Sequence, residues 1–107
     1  MSGFNDREKA EESRFARKEE VEFKASARRN KLLGLWAAGL LGLSGADADA
    51  YAASVVKADF EKPGDDDVFE KIRKDFDAKG VAQSDHQIRR QMEDLLGEAR
   101  RQIEAGA

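Results

Sequence analysis

Cysteine is absent from these 107 residues, which excludes a disulfide framework, a thiolate metal site and a cysteine nucleophile. Proline occurs once, at Pro63, and histidine once, at His86. With one proline and few β-branched residues, the chain favours helix over sheet. Charge of one sign is not in excess: 19 lysines and arginines face 22 acids, for a net charge of −3. A general nucleic-acid binder needs a basic face for phosphates, and that balance argues against one. Long apolar runs are also missing. The longest, LLGLWAAGLLGL from Leu32 to Leu43, is twelve residues with three glycines, against roughly twenty for a spanning helix. Arg28, Arg29 and Lys31 before it and Ala46, Ala48 and Ala50 after it imitate the parts of a secretory signal. A signal's basic region is short and begins at the N-terminus, whereas here thirty-one residues of mixed charge come first. The run therefore reads as a helix buried on nearly all sides, in a cytoplasmic protein.

What the chain does contain is helical punctuation. Asn5 and Glu8 fit a capping box, with Phe4 placed as a hydrophobic staple, so a first helix starts there. It can run on through Phe23, Ala27 and the apolar stretch to Gly42, a left-handed cap against which Leu43 packs back. Ser44 and Asp47 open a second helix, with Ala48, Tyr51, Ala52, Val55 and Val56 on one face, and Lys62-Pro63-Gly64 ends it. Asp65, Asp66 and Asp67 begin a third, where carboxylates cap free amides and oppose the helix dipole. Val68, Phe69, Ile72 and Phe76 form its apolar face, and Lys79-Gly80 closes it. Ser84 and Gln87 make a second capping box for a fourth helix, whose stripe is Ile88, Met92, Leu95, Leu96, Ala99 and Ile103. The expected fold is all-α: a small four-helix bundle over residues 21–107, with a flexible or extended amino-terminal arm over 1–20.

The arm follows from what its residues cannot do. From Asn5 to Lys31 only Phe15, Val21 and Phe23 are sizeable hydrophobes, with Phe4 just before, so each turn of helix buries little within its own domain. Phe4 and Phe15 are eleven residues apart, three helical turns, which puts them on one face ready to anchor in a partner's groove. The apolar density rises near Phe23, setting the boundary at about Glu20 to Glu22.

Reactive groups are few. His86 falls in the first turn of the fourth helix with no second histidine or cysteine to complete a dyad or zinc site. The Asp65–Asp67 run lacks the spaced ligands of a calcium loop, so no metal site is expected and capping accounts for it better. Gly34, Gly39, Gly42 and Gly45 match no phosphate or dinucleotide loop. Close helix packing explains Gly34 and Gly39. The basic groups Arg28-Arg29-Lys31, Arg89-Arg90 and Arg100-Arg101 read as solvated helix surface.

Three blocks carry a resemblance: NDREKAEESRFA near the N-terminus, ARRNKLLGLWAAGLLGLSG from Ala27 to Gly45, and SDHQIRRQMEDLL from Ser84 to Leu96. With VVKADFEKPGDDDVF between Val55 and Phe69, they make the whole chain resemble the zeta subunit of the alphaproteobacterial ATP synthase. That resemblance implies a small four-helix protein, not an enzyme, that inhibits ATP hydrolysis by the rotary enzyme while permitting synthesis. It implies that the inhibitory part is the arm, from Met1 to about Glu19, folding as a helix in a catalytic interface between the alpha and beta subunits and touching the central rotor. Carried onto this chain, the partner-binding residues are Phe4 and Phe15 as apolar anchors, Asn5 at the helix start, and Asp6, Arg7, Lys9, Arg14 and Arg17 as charge partners, individual roles inferred from residue type and not fixed by the resemblance. It further implies a monomer when free, peripheral to the inner membrane through the synthase and not inserted in it. No cofactor is expected, although an adenine nucleotide between the helices would be compatible with a nucleotide-responsive alternative. A second alternative is an adaptor whose arm folds on a different partner.

Overall fold

The computed structural model describes the backbone of residues 2–61 and 64–106 and the side chains of residues 18–59 and 64–106. Four helices account for the ordered elements: α1 Ser2–Leu40, α2 Gly45–Glu61, α3 Asp65–Lys79 and α4 Asp85–Glu104. No strand occurs among the described residues, and the fold is all-α as the composition predicts. Helix α1 is the spine. Both α2 and α4 pack along it, and α3 closes the bundle by packing on α2 and α4. Helix α1 begins three residues before the start expected at Asn5, and it continues without a break past Glu20–Glu22.

The terminators behave as the sequence predicts. At the end of α1, Gly42 takes a positive φ of 80°; its N–H donates to the Gly39 carbonyl at 3.2 Å and that of Leu43 to the Ala38 carbonyl at 2.8 Å. This is a Schellman arrangement, which satisfies carbonyls the helix leaves free. Gly80 repeats it after α3 at φ 71°, with the Val81 N–H on the Phe76 carbonyl at 2.9 Å. The second capping box is complete: the Ser84 hydroxyl accepts from the Gln87 N–H at 3.1 Å, and the Gln87 side chain accepts from the Ser84 N–H at 2.8 Å. Lys62 and Pro63, expected to end α2, lie outside the described residues.

Leu33 and Ala37 of α1, Val55 of α2, Val68, Ile72 and Phe76 of α3, and Ile88 and Met92 of α4 form the core. Each large side chain buried this way contributes about 1.5–3 kcal/mol. Trp36 meets Phe76 edge to face, with centroids 5.7 Å apart. The apolar run that opens this core is less enclosed than its composition predicts. Leu33, Gly34, Ala37 and Ala38 are buried, but Leu32, Leu35, Trp36 and Leu41 are half-buried and Leu40 is 40% exposed. A helix flanked by two neighbours leaves a face to solvent.

The two glycines of that run part company. A Cβ on Gly34 would stand 2.5 Å from the Ala52 Cα, a backbone atom that moves only if the helices separate. Close packing therefore explains Gly34. Gly39 has nothing within 4 Å of the same position, so close packing does not explain it, contrary to expectation. Replacing each by alanine should move stability in opposite directions. Gly34→Ala forces overpacking of about 1–3 kcal/mol against a propensity gain of about 1 kcal/mol, lowering Tm. Gly39→Ala keeps the gain without the clash and raises Tm. Thermal unfolding followed by circular dichroism reads both. The same measurement on Ser84→Ala should show a loss of about 1 kcal/mol as the capping box is broken.

Candidate functional site

The expected partner-binding residues Phe4, Asn5, Asp6, Arg7, Lys9, Arg14, Phe15 and Arg17 all fall in the first half of α1, and their side chains lie outside the described residues. The described surface nearest to them begins at Lys18. Lys18, Glu19 and Glu20 are exposed, Val21 and Glu22 are half-buried, and Ala25 is the first side chain with no exposure at all. Over two turns the helix passes from an outward chain of charges into the core. Lys24 pairs with Glu20 at 2.9 Å one turn back along the helix.

Arginines fasten this part of α1 to the other helices. The Arg100 guanidinium of α4 donates twice to the Glu22 carboxylate, from Nε at 2.8 Å and Nη2 at 2.9 Å. These bonds from Arg100 hold the Glu22 carboxyl below its ordinary range, against a smaller opposing effect of burial. Six residues further along α1, Arg28 donates to the Gln102 side chain at 3.1 Å, and Gln102 in turn donates to Glu98 at 3.2 Å. Glu22 and Arg100 are both about half exposed, so this pair fixes geometry more than it stabilises.

Arg29 departs from its expected role as solvated surface. It is only 3% exposed; its Nε donates to the Asn30 Oδ1 at 2.8 Å and its Nη2 to Asp65 at 2.7 Å, tying α1 to the first residue of α3. The Asn30 Nδ2 is buried without a hydrogen-bond partner, which is the cost of orienting Oδ1 toward Arg29. The aspartate run is corrected by the same contacts. Residue Gly64 occupies the N-cap of α3 and no side chain caps it. Asp65 receives Arg29 and Asp66 receives Arg89 at 2.8 Å, while Arg89 also lies 4.0 Å over the Phe69 ring. The three carboxylates still oppose the dipole in the first turn, but the hydrogen bonds go to other helices. No sequence signal relates positions 29 and 65, or 66 and 89; only the packing of the helices brings them together.

One side chain in this region faces the wrong way for a core residue. Phe23, where the apolar density begins to rise, is 68% exposed. It lines a surface opening of about 450 Å³ with Glu22, Ser26, Arg29, Asp59, Gly64 and Asp65. His86 is exposed in the first turn of α4, and among the described residues no group of three histidine, cysteine, aspartate or glutamate side chains is placed to hold a metal ion. No helix among them is long and apolar enough to cross a membrane.

The described part of α1 thus passes from exposed charges at Lys18–Glu20 into the bundle core at Ala25. A structure solved by solution NMR has a similar fold and sequence, with a TM-score of 0.71, 47% identity, and alignment over 81% of this chain and 99% of its own. No curated protein matches the chain. The sequence profile of one family matches residues 1–102, the arm and the bundle together. The chain belongs to the ATPase inhibitor subunit zeta family.

Proposed function

We propose that this protein inhibits ATP hydrolysis by the rotary ATP synthase of alphaproteobacteria with its amino-terminal arm, residues 1–20, as the wedge and residues 21–107 as the carrier. The observation that carries this reading is the family match across 1–102, which takes in residues 1–20 together with the bundle. The change from exposed to buried side chains between Glu20 and Ala25 supports placing the division there.

In this reading the arm enters an alpha/beta catalytic interface as a helix and meets the central rotor. Phe4 and Phe15 bury their rings on one face, and Asp6, Arg7, Lys9, Arg14 and Arg17 pair with charges of the cleft, with Asn5 beside Phe4 in the first turns of the helix. Ordering some fifteen residues costs on the order of 15–30 kcal/mol of backbone entropy, so both kinds of contact are needed to offset it. The bundle stays outside as a stop, and the protein reaches the membrane only through the synthase. Permitting synthesis while blocking hydrolysis arises from the sense in which the rotor loads the wedge.

Inhibition of ATP hydrolysis by an alphaproteobacterial synthase head, titrated with the full chain and with a chain lacking Met1 to Glu19, tests this directly. The full chain inhibits and the truncated one does not; equal inhibition by both would move the site to the bundle and sink the wedge. Phe15→Ala in the full chain should weaken binding by a few kcal/mol, measured as the rise in half-inhibitory concentration, with each 1.4 kcal/mol a factor of ten.

A further inference from the structure

Phe23 is the aromatic side chain among the described residues that the fold leaves most open, at 68% exposure. A phenylalanine in the bundle portion of a long helix ordinarily turns inward, since burying it contributes about 1.5–3 kcal/mol. Here the neighbouring positions Ala25 and Arg29 take the inward face and Phe23 is left on the outside. Its ring borders the opening of about 450 Å³ where α1, the end of α2 and the start of α3 meet.

The rim of that opening has a definite chemistry. Among the described lining residues Glu22, Asp59 and Asp65 supply carboxylates, and Arg29 supplies the one cation. The Arg29 charge is spent inward on Asp65 and is nearly inaccessible. The Asp65 and Glu22 side chains stay 65% and 43% exposed although arginines hold them, and among the described residues Asp59 accepts one long bond, 3.4 Å, from the Gly64 N–H. An aromatic ring rimmed by carboxylates favours an apolar side chain flanked by lysine or arginine and disfavours an anion.

Position along the helix says where such a partner sits. Phe23 is four residues past Glu19, about 6 Å along a helix axis. A partner that grips the arm to its end is therefore already beside Phe23. We propose that Phe23 and the carboxylates around it form a second contact with the synthase head, at the mouth of the cleft, against an apolar residue flanked by basic ones. The proposal rests on the arm reading above and adds to it: the bundle is held against the head by this patch instead of hanging freely from the wedge. The contact lengthens the life of the complex, and the arm alone still finds the cleft.

The test is the dissociation rate and half-inhibitory concentration of the full chain on the synthase head, for the wild type, Phe23→Ser, Phe23→Trp and Asp59→Lys. Phe23→Ser should dissociate about ten- to hundredfold faster with its Tm unchanged or raised, Phe23→Trp should retain binding, and Asp59→Lys should weaken it severalfold. A Phe23→Ser chain that inhibits and dissociates as the wild type does would overturn the proposal, while the chain lacking Met1 to Glu19 reports separately on the wedge. If the truncated chain still inhibits, the arm reading fails, and adding Phe23→Ser to it decides whether this patch holds the site. Sedimentation of the free chain closes the remaining route: a wild-type dimer that Phe23→Ser converts to monomer would assign the patch to a second copy and overturn the contact with the head.

Discussion

The approach of α1 and α2 at Gly34 sets the frame for everything else. With a Cβ on Gly34 placed only 2.5 Å from the Ala52 Cα, the two backbones stand too close for a side chain at position 34. That proximity buries Ala52 against Gly34 and brings Val55 into one cluster with Leu33 and Ala37, so the core is built around α1 as a common wall. Small residues at 34, 37, 38 and 52 let the helices close together, and the bulk needed to fill the interior comes from the other side, from Ile72, Phe76, Ile88 and Met92. Helices α3 and α4 thus supply volume where α1 and α2 supply closeness.

Polar groups do the complementary work of fixing which helix faces which. Arg29 reaches Asp65 from inside the bundle, and Arg89 reaches Asp66 from α4, so the start of α3 is held from two directions. Tyr51 donates to Asp75 at 2.8 Å, and Lys71 shares the same oxygen at 3.0 Å; burial together with that carboxylate pushes the Tyr51 phenol pKa upward. Arg73 closes the turn between α3 and α4 through Asp77, the Gln83 carbonyl and Asp85. Most of these pairs are partly exposed and worth little singly, but removing a partner of buried Arg29 would strand a charge. Specific alignment of short helices is what the set provides.

A protein that presents one long helix to a partner needs that helix rooted firmly and left uncovered beyond the root. The first condition is met on α1, and the described side chains nearest its N-terminus, Lys18, Glu19 and Glu20, are exposed. Ala25, Arg29, Leu33 and Ala37 root it, Glu22 and Arg28 tie it to the last turns of α4, and the charged residues from Glu20 back toward the N-terminus contribute nothing to the core among those described. The chain belongs to an inhibitor family, and its bundle is tied across helices by Arg28, Arg29, Arg89 and Arg100.

The sequence by itself determined the elements whose causes are local. Glycine at 42 and 80 ends a helix because it accepts a positive φ, and Ser84 with Gln87 starts one because two side chains three residues apart can satisfy each other's backbone; neither depends on distant partners. Apolar spacing likewise identified Val68, Ile72, Phe76, Ile88 and Met92 as inward. Local pattern failed where the deciding neighbour came from another helix. Asp65 and Asp66 carry the composition of caps but answer to Arg29 and Arg89, Gly34 and Gly39 look alike but only one faces Ala52, and Leu40 and Phe23 are apolar but point to solvent. Periodicity tells which residues share a helix face; which of those faces is covered, and by what, depends on how the helices are placed against one another. That placement is a property of the assembled bundle, and it alone decided that Arg29 is inside and Phe23 is outside.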